Sequence, residues 1–137
     1  MIAQRINIPD YDWDVSIFYD VQPRDADYIL NILWDMGCAR WHLYKAEDML
    51  RNGIPNQGLT YSDKRNRQTI IVVGHASDLF SLLNTLQHEV NHLETHICEC
   101  FGIDMHSESA AYLSGDIKEI IARNAWLTAR KIFLYLL

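Results

Sequence analysis

The stretch Gln87-His88-Glu89-Val90-Asn91-His92-Leu93 places two histidines four residues apart, with a glutamate directly after the first, in the pattern H-E-x-x-H. In an α-helix residues four apart share a face, so His88 and His92 can direct imidazole nitrogens at one cation while Glu89 sits beside them, near a metal-bound water. That is the geometry of hydrolytic zinc chemistry.

Five residues with three fixed positions are a short pattern, and the flanking sequence decides how it is read. From Ser77 to Phe101 the spacing predicts one helix, with Ser77 as N-cap, Asp78 suited to the positive first turn and Gly102 as the stop. At about 100° per residue, Leu79, Leu82, Leu83, Leu86, Val90, Leu93, Ile97 and Phe101 fall on one arc, a core face. A second arc gathers Ser81, Thr85, His88, Glu89, His92, Thr95, His96 and Glu99. Asn84, Gln87, Asn91 and Glu94 complete the wheel as a solvated face. The helix therefore carries a third kind of face, made of groups that bind protons and metals, where a plain polar surface bearing histidines is the alternative.

The 137 residues, 49% of them hydrophobic, suffice for a single domain with a real core, so no metal is needed merely to hold the chain together. A net charge of −6 without any lysine- or arginine-rich block argues against a nucleic-acid partner. Cys38, Cys98 and Cys100 are odd in number, and the last two diverge on a helix, which makes a mutual disulfide improbable. The first residues lack a signal-peptide apolar core and no apolar run reaches membrane-spanning length, so the expectation is a cytoplasmic protein without a membrane partner.

In chain order, Ile2, Ile6 and Ile8 form an apolar alternation closed by Pro9-Asp10. Trp13, Val15, Ile17 and Tyr19 then lie on one side of a strand at period two. Pro23 sits where a helix begins, and helical spacing follows over 24–36 and again over 39–50, with Gly37 between them and Asn52-Gly53 as the second stop. These are two helices or one bent helix. Leu59 to Tyr61 and Gln68 to Val73 are strand-like and joined by a polar run, a hairpin, and the unbroken Ile70 to Val73 run suits a strand covered on both faces. After Gly102 a last helix begins near Ser107, with Ala110, Leu113, Ile117, Ile120 and Ile121 on one arc and Glu108, Tyr112, Gly115 and Glu119 on another. Ser114-Gly115-Asp116 could kink it. The tail from Trp126 is apolar nearly all round, which suits burial in the core or a homo-oligomer contact. Together these elements predict an α+β domain over 1–137, a small sheet with a hairpin packed on the histidine-bearing helix and further helices.

Catalytic zinc takes three protein ligands and leaves one position to water, so the two histidines need a third. Glu108, 16 residues after His92 and beyond the turn at Gly102, can return on a second helix and meet the metal from another direction. His106 on the connecting turn comes next. His96 would require three ligands along about 12 Å of straight helix, and Cys98 faces away from the site arc. With such a set, Glu89 takes the proton of the zinc-bound water and later passes it to a leaving amine, and Tyr112, one turn past Glu108, is the candidate donor to the oxyanion. A tyrosine packed at the edge of the core is its other reading. Asp116, Glu119, Glu99 and Thr85 are candidate partners for the second imidazole nitrogens.

His88-Glu89-Val90-Asn91-His92, preceded by the Gln68 to Val73 strand and followed by Glu108 on a second helix, resembles the gluzincin branch of the zincin metallopeptidases in its minimal single-domain form. The resemblance covers roughly residues 59–121. It implies a zincin-like fold, Zn2+ held by His88, His92 and Glu108, Glu89 as general base, and an extended peptide or specific protein partner as substrate, held along the Gln68 to Val73 strand. Many gluzincins have an aspartate one turn after the ligand glutamate, where this chain has Tyr112, and the longer metzincin continuation is absent. Glu89 to His92 also fits the E-x-x-H of carboxylate-bridged di-iron proteins, but the second such motif they need is missing. The remaining alternative is a zinc-binding or regulatory protein that keeps this scaffold without turnover.

Overall fold

A computed structural model describes the backbone of residues 1–136 and the side chains of residues 1–124. The run Ile70-Ile71-Val72-Val73 organises it. All four side chains are 0–1% exposed. Successive strand residues point to opposite faces, so an unbroken apolar run needs a core on both sides. Ile70 and Val72 join Phe18, Ile29, Leu33 and Leu50 on one face, while Ile71 and Val73 join Trp13, Ile17, Val90, Leu93, Ile97 and Ile117 on the other.

This strand, β4 (Gln68–Gly74), is third in a four-stranded mixed sheet of order β1-β2-β4-β3. Strand β1 (Ile2–Ile8) pairs antiparallel with β2 (Trp13–Val21), Ile8 opposite Trp13, through a tight turn in which Asp12 takes a left-handed φ of 47°. Strand β2 runs parallel to β4, with Ile17 opposite Ile71, and β3 (Gly58–Asp63) closes the edge as the other arm of an antiparallel hairpin, with Thr60 opposite Ile71. The expected strand and hairpin are thus present. The β2-to-β4 crossover carries α1 (Ala26–Asp35) and α2 (Arg40–Asn52) onto one face of the sheet. They are separate helices, because Gly37 at φ 78° turns the chain where a side chain would be strained. The other face is covered by α3 (Leu79–Phe101) and α4 (Glu108–Leu136).

The cap of α3 lies one residue later than expected: Asp78, not Ser77, is the N-cap, its carboxylate accepting from the Ser81 N–H at 2.7 Å. Leu82, Val90, Leu93 and Ile97 are buried as the apolar arc requires, whereas Leu79 and Phe101, the terminal residues of the helix, and Leu83 are 44%, 38% and 53% exposed. Glu94, expected on the solvated face, is instead buried, because α4 docks over it. Ser114 Oγ donates to its carboxylate at 2.9 Å and Lys118 Nζ stands 3.8 Å away. Helix α4 runs through Ser114-Gly115-Asp116 without a break and presents Ala110, Leu113, Ile117 and Ile121 to the sheet. Behind it, buried Gln4 donates to the Ile121 carbonyl at 3.0 Å and accepts from the Tyr19 hydroxyl at 2.7 Å. The three cysteines carry free thiols, and among the described residues no helix is long and apolar enough to cross a membrane. The apolar tail on which the homo-oligomer expectation rested lies, for its side chains, outside the described residues.

The hydrogen bonds to the Asp78 carboxylate hold its pKa below the usual carboxylate value. A depressed folded-state pKa contributes stability above the unfolded value that is lost as pH falls through the folded one. Asp78→Ala is expected to lower the urea midpoint at pH 7 more than Ser77→Ala does, with the gap closing on acidification. Equal midpoints for the two variants would return the cap to Ser77.

Candidate functional site

Residues 88, 92 and 96 follow at one-turn intervals on α3, and the last of them reaches the edge strand β3. His88 and His92 are exposed, their rings 4.9 Å apart and nearly perpendicular, with the two Nε2 atoms at 3.3 Å. Two nitrogens bound to one zinc at about 2.0–2.1 Å with a near-tetrahedral angle stand about 3.3 Å apart, so this pair fits two positions of such a centre.

Glu89 lies in the seam between α3 and β3. It is 4% exposed, and its Oε2 accepts from Thr60 Oγ1 at 2.7 Å. Gly58 makes room for it: a Cβ there would stand 2.8 Å from Glu89 Cγ and 2.8 Å from the Val72 carbonyl oxygen. An open cavity of about 350 Å3 lies beside this carboxylate, lined by Asn56, Gln57, Gly58, Thr85, His88 and Glu89. Its outer wall is held by Asn56, whose N–H donates to the His75 carbonyl at 2.9 Å and whose side chain accepts from the Ser77 N–H at 3.0 Å. The Thr85 hydroxyl donates to the Asn56 carbonyl at 3.2 Å, tying the wall to α3.

One turn past His92, the His96 ring is half-buried, with Nδ1 2.7 Å from Ser62 Oγ. Burial first, then the charge of Lys64, holds this imidazole below its ordinary pKa. Ser62 Oγ is 2.7 Å from Thr69 Oγ1, which accepts from the Trp13 indole N–H at 2.8 Å.

The expected third ligand is not gathered with the pair. Among the described residues no group of three His, Cys, Asp or Glu side chains converges to hold a metal ion. Glu108 is exposed at the start of α4, where Ser107 caps the helix by accepting from the Ala110 N–H at 3.2 Å. Tyr112 is 70% exposed. Helix α4 meets α3 at Glu94, which on a helical wheel is about 120° or more from His88 and His92. Of the alternatives, His106 is exposed on the connecting turn, Cys98 is buried and His96 is engaged with Ser62. Three of the four candidate second partners are taken elsewhere: Thr85 by Asn56, Glu99 by Lys64 at 2.6 Å, and Glu119 by Arg123 at 2.8 Å.

The strand expected to hold a peptide is a second correction. β4 has a neighbour on each side and no free edge, whereas β3 has only β4, so β3 is the strand beside the site that can accept another. Gly58, Thr60 and Ser62 were missed as site residues. The signal was there: small or polar side chains at period two face one way, while Leu59 and Tyr61 face the α1/α2 core. The chain matches no protein-family model, no curated protein and no solved structure.

Gly58→Ala is expected to cost about 1–3 kcal/mol, the usual penalty of overpacking a filled seam. Urea unfolding measures it, and a loss no larger than that of Gly115→Ala, where a Cβ meets nothing within 4 Å, would show that Glu89 is not wedged as described.

Proposed function

We propose that the protein is a zinc-dependent hydrolase acting on peptide bonds, with an extended peptide or a specific protein partner as substrate. The observation that carries this reading is the His88–His92 pair, with Nε2 atoms 3.3 Å apart, sharing a cavity wall with the Glu89 carboxylate. His88 and His92 would hold the ion, and Glu108 of the first turn of α4, which is not gathered with them among the described residues, is the candidate for the third position. Zinc bound there supplies Lewis acidity, which acidifies a water and polarises a carbonyl. With the ion in place, Glu89 would serve as the base toward the attacking water and would then return that proton to the leaving amine. Thr60, donating to one carboxylate oxygen, fixes the orientation of the Glu89 side chain and leaves the second oxygen for the cavity. The free edge of β3 offers main-chain N–H and C=O groups to an extended substrate, the pairing by which strands are added to a sheet. On this reading the scaffold is zincin-like, and the three free thiols suit a reducing cytoplasm.

A second reading has one observation behind it. Glu89 is buried and hydrogen-bonded as a pin between helix and strand would be, which is what a zinc-binding or regulatory protein without turnover would retain.

Metal analysis separates these outcomes. The purified protein is expected to carry stoichiometric zinc that is lost in His88→Ala and weakened in Glu108→Gln. Glu89→Gln is expected to keep the zinc and lose peptide hydrolysis by about 10²–10⁴-fold. Absence of bound zinc sinks the proposal, and zinc without any hydrolysis in the unaltered protein favours the second reading.

A further inference from the structure

The chain of contacts from Trp13 to His96 has a definite polarity, and it follows from counting protons. An indole nitrogen only donates, so Trp13, 0% exposed, gives its proton to Thr69 Oγ1 at 2.8 Å. Thr69 is 3% exposed, and among the described residues its hydroxyl has one other partner, Ser62 Oγ at 2.7 Å. The Thr69 proton therefore goes to Ser62. Among the described residues the one acceptor left to Ser62 is His96 Nδ1 at 2.7 Å. The opposite polarity would give Thr69 two incoming protons and leave its own without an acceptor in the interior, which costs more than either hydrogen bond contributes. With Ser62 donating to it, His96 Nδ1 is the acceptor, and in a neutral imidazole the proton then sits on Nε2, on the side of the ring away from Ser62.

That nitrogen belongs to a side chain on the same arc as the candidate metal pair. His96 is one turn beyond His92, and the two rings are 6.4 Å apart and inclined by 30°. Tyr112, the donor expected from the sequence, is 70% exposed on the helix that meets α3 away from this arc. We propose that His96 is the fixed hydrogen-bond donor of the site: the relay Trp13–Thr69–Ser62 holds it as the Nε2–H tautomer, which is offered to a carbonyl oxygen or oxyanion bound at the His88–His92 pair. This rests on the zinc hydrolase reading for its ligand, but not for its tautomer. The fixed side chain donates without having to reorganise, which is the condition under which such donors favour a developing oxyanion. It also gives the relay a use that a purely packed core would not need.

The test has two arms on the full chain. Long-range 1H–15N correlation of 15N-histidine-labelled, zinc-free protein at neutral pH is expected to show His96 as the Nε2–H tautomer. In Ser62→Ala it is expected to show a tautomer mixture. A dominant Nδ1–H form in the unaltered protein, or no change in Ser62→Ala, overturns the relay. In the second arm, acetohydroxamate binding to the zinc-loaded protein is expected to weaken about tenfold or more in His96→Phe and in Ser62→Ala, with zinc stoichiometry unchanged. Unchanged affinity in both overturns the donor role, and Ser62→Ala decides the matter if His96→Phe does not fold. If no zinc binds at all, the hydrolase reading falls and takes the donor role with it, while the tautomer measurement still decides the relay on its own.

Discussion

The hydrogen bond from Thr60 to Glu89 joins the edge strand to the long helix, and the rest of the site takes its position from that seam. A carboxylate at 4% exposure loses most of its hydration and must recover it from fixed donors. The Thr60 hydroxyl supplies one at 2.7 Å and also lies 3.1 Å from the Glu89 carbonyl oxygen, so one side chain reads both the helix backbone and its charged group. This fixes rotation of α3 about its axis. Once Glu89 faces β3, residues 88 and 92 must lie at the rim, where an imidazole pair can meet solvent and ligand together.

The sheet makes that seam possible. Because β4 is buried on both faces, the α1/α2 layer and the α3/α4 layer are each anchored by alternate residues of one strand, and the register of β3 against β4 decides which residues of β3 face which layer. A slip of one residue would turn Thr60 and Ser62 toward α2 and Leu59 and Tyr61 toward Glu89, leaving the carboxylate against apolar groups. The Gly58-Val73 to Asp63-Gln68 pairing thus carries chemical as well as structural information.

Much of this was legible in the sequence because it depends on local periodicity. The alternation from Trp13 to Tyr19, the apolar run at Ile70 to Val73 and the helical arc through Val90, Leu93 and Ile97 each specify an element and the face it buries. What was not legible depends on where one element lands on another. A helical wheel cannot distinguish a polar residue facing water from one facing a second helix, so the sequence pattern puts Glu94 on the solvated face although Ser114 and Lys118 stand against it. The same limit governs Glu108. Sequence distance allows it to return to the histidines, but the docking side of α4 is set by Ala110, Leu113, Ile117 and Ile121, whose burial turns the helix onto the sheet and not onto the His88 face. That β4 has no free edge was hidden for a related reason: strand order is a tertiary property, and the hairpin alone does not say which arm is the edge.

The two long flanks of α3 show the contrast that gives the site its meaning. Toward the sheet the helix uses Leu82, Val90, Leu93 and Ile97, an apolar seam of the ordinary kind. Toward β3 the same helix uses Thr85, Glu89 and His96, each matched to a hydrogen-bonding group on β3 or on the loop before it. Replacing a buried polar or ionic seam by well-packed apolar residues is often neutral or stabilising, so the stability of the fold does not call for this arrangement. A chain able to build the first kind of seam has the second where it borders an open cavity and a free strand edge, and the groups it holds there are a carboxylate, an imidazole bonded to Ser62 and two further imidazoles within reach of each other. The cost of keeping them polar falls beside the cavity and the open edge of β3.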